Sequence, residues 1–203
     1  VKGTNAASET DGWETVSTET HFQNDHLAVA TEEIRTPACS APRKWTIVHR
    51  KKAVVLAPMT PEGKIILIRQ ERIPIRSAIW EMPAGQIDEA IELEMSAIQA
   101  VGLRELREET GFELAEGGEL ISLGDYFTSP GFTDERGYFF LARPVLPCAD
   151  GHARDESESI LDCRAFSPRE LGQMIDQNEV RDANTLGIFA RLVARGLLSL
   201  DRA

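Results

Sequence analysis

Residues 103–112 read LRELREETGF, with Glu105, Glu108 and Glu109 set among Arg104 and Arg107. Around them Leu93, Ala97, Ala100, Val101, Leu103 and Leu106 recur at three- and four-residue spacing. That period predicts an amphipathic helix from about residue 92 to Thr110, stopped by Gly111. At 3.6 residues per turn the three carboxylates fall within an arc of about 100°. Glu105 and Glu109 are i,i+4 neighbours, and like charges there cost roughly 0.2–0.5 kcal/mol. Arg104 stands i,i+4 from Glu108 and can offset it. A generic acidic stretch of this kind is a solvated helix face. Here, however, SAIWEMPAG precedes it, a strand closing in a Pro/Gly loop. Strand, loop and carboxylate-bearing helix together make a place for a hard cation. Mg2+ takes oxygen ligands, few protein carboxylates and several retained waters.

Outward from this helix the chain reads mostly as strands. Residues 13–36 alternate loosely (WETVSTETHF, HLAVATEEI) and predict short strands. TPACSAPRK reads as a turn-rich break, and WTIVHRKKAVVLAP as one or two strands. AVVLAP–MTPEG–KIILIRQ reads as a hairpin, with Pro61 and Gly63 suited to its turn. GELISLGDYFTS and RGYFFLARPVL are strands around SPGFTDE, and ILDCRAF is a further strand. SPRELGQMI opens with a capping box, Ser167 as cap and Glu170 three residues on. A last amphipathic helix, DANTLGIFARLVARGLLSL, is capped near Asp182 or Asn184. A sheet-rich body with one mid-chain helix and two C-terminal helices predicts an α+β fold or a three-layer sandwich.

Composition narrows the function. The 203 residues carry a formal net charge of −11, with basic clusters only near residues 43–52. Nucleic acid is an unexpected partner for such a chain. A phosphate substrate would need a divalent cation as a bridge. No apolar run approaches the roughly 18 residues of a membrane helix, so no membrane partner is expected. The three cysteines (Cys39, Cys148, Cys163) have no CxxC spacing, which fits a reducing cytoplasm and no zinc knuckle. Residues 1–12 are expected to be a disordered lead or an expression remnant rather than a signal peptide.

The stretch from Gly85 to Phe112 resembles the Nudix box, G-x5-E-x7-R-E-U-x-E-E-x-G-U, where U is a bulky apolar residue. Arg104 to Phe112 match its second half at every specified position. The first half departs. Nineteen positions separate Gly85 from Arg104 where the pattern has fourteen, and its first Glu would fall on Ile91 or Ser96. Glu89, Glu92 and Glu94 are the replacements at hand. WEMPAG, RQERIP and YFTSPGFTDE are similar to the ADP-ribose pyrophosphatase branch, and the resemblance spans roughly residues 13–200.

The resemblance implies a Nudix-type α/β/α sandwich with a mixed sheet, over residues 49–203. A short antiparallel β segment, residues 13–48, would precede it and serve homodimerisation. It also implies a pyrophosphatase that hydrolyses ADP-ribose to AMP and ribose 5-phosphate with Mg2+, Mn2+ being the alternative ion. Glu105, Glu108, Glu109 and the Ala84 carbonyl would hold the metal. Glu109 and Arg104 count among the catalytic residues, with a loop base at Glu156 or, second, Glu158. Arg72 would contact phosphate, Pro130 and Glu135 the substrate, and Trp13 and Trp45 the adenine; Trp80 reads as core. Two alternatives stand: hydrolysis of another nucleoside diphosphate sugar, and a non-catalytic nucleotide-sensing domain. The three intact helix glutamates favour catalysis.

Overall fold

A computed structural model describes residues 12–87, 94–149 and 159–200, and the chain falls into two compact units. The first comprises the residues up to Lys51 together with Ser129–Glu135. Its sheet has three antiparallel strands in sequence order: β1 (Glu14–Gln23), β2 (Leu27–Thr36) and β3 (Cys39–Arg50). These strands run longer than the sequence suggests. The predicted break at TPACSAPRK shrinks to a turn at Pro37–Ala38, and β3 runs on through Pro42. A proline is tolerated there because β3 is an edge strand, where a missing N–H need not break the ladder. Asn24 Oδ1 accepts the N–H groups of His26 and Leu27 at 2.9 Å and turns β1 into β2.

The second unit comprises Lys52–Thr128 and Arg136 onward. Its strands are β4 (Ala53–Pro58), β5 (Ile65–Arg72), β6 (Ser77–Glu81), β7 (Ala84–Gln86), β8 (Phe112–Phe127), β9 (Arg136–Pro147) and β10 (Ile160–Phe166). They form a mixed sheet, β7-β4-β9-β8, with β4 and β9 parallel, and an antiparallel sheet, β10-β5-β6. The expected β4–β5 hairpin is therefore corrected. Its turn is present, with Thr60 N–H donating to Lys64 O at 2.8 Å and Gly63 at φ +78°. The strands then part into different sheets, joined by the single bridge Met59–Ile65. Both are apolar at successive positions, Val54–Ala57 and Ile65–Ile68, and all eight side chains are buried. Strands buried on both faces need neighbours on both edges, which a two-stranded hairpin cannot supply.

Alternation along β4 sorts the core into two layers. Val54 and Leu56, with Ile66, Phe140 and Val145, face helix α1 (Met95–Glu105) through Ile98 and Val101, and Leu106 just past its end. Val55 and Ala57, with Ile65, Leu67 and Phe139, face helices α2 (Pro168–Asp176) and α3 (Ala183–Ala194) through Leu171, Met174, Ile188 and Leu192. This is the expected α/β/α sandwich. Both halves of the Ser167–Glu170 capping box are made, and Asp182 caps α3. The three cysteines are free, and no helix among the described residues is long and apolar enough to cross a membrane.

One buried polar link ties α3 to the strand entering the Gly loop. Thr185, fully buried, donates Oγ1–H to Asp182 Oδ2 at 2.8 Å and accepts the Met82 N–H at 2.9 Å. Thr185→Val keeps the shape but orphans the Met82 N–H. We expect a loss of about 1–3 kcal/mol, seen as a lowered midpoint in urea at unchanged slope.

Candidate active site

The mid-chain helix differs from its expected form in two respects. α1 ends at Glu105, and Leu106–Thr110 continue as a π-helical turn before Gly111 caps it at φ +71°. Thr110 Oγ1 donates to the Leu106 carbonyl and accepts the Phe112 N–H at 3.1 Å. The helix also starts at Met95, with Glu94 as a cap residue whose side chain makes no capping bond. Among the described residues the helix thus does not reach back beyond Met95. Glu89 and Glu92 lie outside the described residues.

Gly85 in β7 lies against this helix end. A Cβ built on Gly85 would stand 2.1 Å from Glu105 Cδ and 2.2 Å from its Oε1. Only a glycine lets the loop come this near. Glu105 and Glu109 are 6% and 1% exposed, far from the solvated face that a generic acidic helix would give. The Ala84 N–H donates to Glu109 Oε2 at 2.8 Å. Arg104 donates to Glu108 Oε2 through Nη1 and to Glu105 Oε1 through Nη2, each at 2.5 Å. One guanidinium therefore gathers two carboxylate oxygens.

Arg72, at the end of β5, is clamped by Glu81 of β6. Its Nε lies 2.8 and 3.1 Å from the two carboxylate oxygens, and Nη2 lies 2.6 Å from Oε2. The Glu81 side chain is 5% exposed, that of Arg72 43%. Burial pushes the Glu81 carboxyl above its ordinary value, and the Arg72 hydrogen bond and charge only partly offset this. Hydrogen bonding to Glu81 holds Arg72 above its own usual value, helped by the charges of Glu109 and Asp182. Glu81 was not singled out from the sequence. Its signal was a charged residue between Trp80 and Met82 in a strand, which alternation alone assigns to solvent. Because the native carboxyl binds its proton more tightly than the unfolded one, it stabilises below about pH 4.5. That contribution is lost as pH rises through the native value. The stability of the wild type relative to Glu81→Gln is therefore expected to fall as pH rises from 4.5, measured by urea unfolding at several pH values.

Of the other expected site residues, Trp13, Trp45, Pro130 and Glu135 lie in the first unit. Trp13 and Trp45 are each 56% exposed, and Trp45 Nε1 donates to the Gly131 carbonyl at 3.0 Å. That bond belongs to a set holding residues 129–135, with Pro130 and Glu135, against β3. The Val48 N–H donates to Phe132 O at 2.8 Å, and His49 Nδ1 lies 2.7 Å from Asp134 Oδ2. Arg50 pairs with Glu135 at 3.2 Å. Trp80 packs edge-on to Phe166 at the rim of the α2–α3 layer. Glu156 and Glu158 lie outside the described residues.

The donor set suits a hard divalent cation. It offers carboxylate oxygens alone, two of them drawn together by Arg104, beside a loop that Gly85 lets approach Glu105. Among the described residues no three His, Cys, Asp or Glu side chains stand in a ligating cluster. Mg2+ does not require one, since it binds through one or two carboxylates and fills its remaining positions with water and phosphate oxygens.

Comparison with known proteins agrees with this geometry. The NUDIX domain family matches residues 49–186. An ADP-ribose pyrophosphatase of Bacillus subtilis (strain 168) is 32% identical over 171 residues, covering 84% of this chain and 87% of its own. A methanol dehydrogenase activator of Bacillus methanolicus is 30% identical over 172 residues, covering 85% and 88%. Less similar relatives include proteins named GDP-mannose pyrophosphatase, at 29% and 30% identity. The crystal structure of an ADP compounds hydrolase shares the fold, with TM-score 0.72 at 17% identity over 94% of this chain and 99% of that one. The chain belongs to the Nudix family, and it is a hydrolase of that family.

Proposed function

We propose that this chain is a Mg2+-dependent pyrophosphatase that hydrolyses ADP-ribose to AMP and ribose 5-phosphate. The observation that carries this reading is the pair Glu105–Glu108, gathered on Arg104 beside the Gly85 loop. The relative named ADP-ribose pyrophosphatase supports the substrate. When bound, the cation neutralises diphosphate charge and lowers the pKa of water. Glu105, Glu108, Glu109 and the Ala84 carbonyl would hold it. Arg104 orients Glu105 and Glu108. Arg72, fixed by Glu81, presents its guanidinium to the diphosphate. Glu156, or else Glu158, takes the proton from the attacking water. Pro130 and Glu135 contact the substrate, and the exposed faces of Trp13 and Trp45 stack on adenine. Residues 13–48 mediate a homodimer, a reading supported by β1, whose ten residues are all exposed.

The test is chromatographic product analysis, with ADP-ribose, GDP-mannose and dinucleotides offered separately, with and without Mg2+. AMP and ribose 5-phosphate, formed fastest from ADP-ribose and only with metal, is the expected result. A second reading, GDP-mannose as substrate, is favoured by the relatives of that name. Faster turnover of GDP-mannose would establish it. Tight nucleotide binding without turnover of any of these would instead support a sensing role.

A further inference from the structure

Beside the Arg72–Glu81 clamp lies a cavity of about 380 Å3, lined by Glu71, Arg72, Ile73, Arg76, Ser77 and Ala78. This volume lies within the range of roughly 300–1,000 Å3 that small-molecule sites occupy, well beyond what a lone ion needs. The arginines in its wall are not equivalent. Arg72 is engaged by Glu81. Arg76 is exposed, and its side chain makes no hydrogen bond or ion pair among the described residues. The neighbouring Ser77 hydroxyl is likewise without a partner among them. Glu71, the acidic residue of the lining, already accepts the Ser159 hydroxyl at 2.5 Å.

Arg76 also stands where its backbone argues against any side chain. It closes the 3-10 turn Ile73–Ile75 at φ 52°, ψ 43°, with its N–H on the Ile73 carbonyl at 3.1 Å. Glycine adopts this left-handed conformation without penalty, and an L residue does so at a cost. Strain of this kind in a cavity wall points to a use for the side chain.

We propose that the cavity is a subsite for the phosphomonoester of a phosphorylated sugar, with the Arg76 guanidinium and the Ser77 hydroxyl as its donors. The planar guanidinium fork matches two phosphate oxygens, and the hydroxyl serves a third. Ile73, 86% exposed, and Ala78 offer apolar surface to the carbon frame of the sugar. The proposal rests on the hydrolase reading in one respect: ribose 5-phosphate, the product expected there, carries this group.

The test is calorimetric titration of ribose 5-phosphate into metal-free protein, wild type and Arg76→Gly. Glycine suits the φ of 52°, so the variant folds, and its melting temperature checks this. Binding at least about tenfold weaker in the variant is expected, with Arg76→Lys in between because it keeps the charge and loses the fork. No binding to the wild type, or equal binding to Arg76→Gly, overturns the proposal. Inorganic phosphate binding as tightly as ribose 5-phosphate overturns its sugar part. The titration involves neither metal nor turnover, so its failure and the failure of the hydrolase reading are distinguishable.

Discussion

Glu105→Gln and Glu109→Gln are each expected to lower kcat about a thousandfold, or ~4 kcal/mol of transition-state stabilisation at about 1.36 kcal/mol per factor of ten. The physical reason is charge. Both side chains are nearly inaccessible, yet they bring carboxylates to one helix end. A buried carboxylate is costly unless something compensates it. Arg104 does this for Glu105, and the Ala84 N–H contributes for Glu109. A divalent ion would do so more fully. Glutamine keeps the shape and an acceptor oxygen, so Glu109→Gln retains its bond from Ala84 and folds normally. A second measurement separates metal binding from turnover. Saturating Mg2+ stabilises the wild type by mass action, about 2.7 kcal/mol at a hundredfold excess over Kd, and each variant should lose most of that increment. Wild-type hydrolysis by both variants would sink the assignment.

Gly85→Ala is expected to cost more in activity than in stability. The added methyl would occupy the space of the Glu105 carboxyl group, with Cγ and Oε1 both 2.2 Å away. Either β7 shifts or Glu105 swings out. The first breaks pairing with Val54, and the second removes the carboxylate from Arg104. Overpacking of this sort costs about 1–3 kcal/mol, which a domain of this size survives. Displacing a ligand by an ångström has a larger effect on a reaction that depends on geometry, on the order of a hundredfold. Unfolding and steady-state kinetics of the same preparation decide the matter. A variant with lowered stability and unchanged kcat would mean that Glu105 has no fixed place in the reaction.

Helix period, charge spacing and the Gly111 stop made the carboxylate-bearing segment legible, because each is a local property of consecutive residues. The Ser167 capping box was legible for the same reason. Three features were not. The π-helical turn at Leu106–Thr110 is a choice of backbone hydrogen bonds that apolar spacing does not record. The parting of β4 and β5 depends on which distant strands flank them, and runs such as AVVLA and IILI look alike in a hairpin and at a sheet centre. Glu81 is a charged residue in a strand, and its burial is intelligible only once the Arg72 guanidinium is seen bonded to it. The site is legible where neighbours in sequence make it, and silent where strands from elsewhere do.

The parting of β4 and β5 also bears on the order in which a nascent chain can assemble. The turn at Thr60–Lys64 closes early, yet the strands it joins gain little from each other. Ala53 waits for Gly137 and Val54 for Tyr138, while Ile65 waits for Phe166 and Leu67 for Arg164. Contacts so far apart form slowly, since the loop entropy is lost before the pairing compensates it. During synthesis two of the most apolar segments of the chain therefore emerge with unfilled edges, β4 until β9 and β5 until β10 has left the ribosome. That interval exposes the protein to misassociation, and the demand for chaperones should be greatest there.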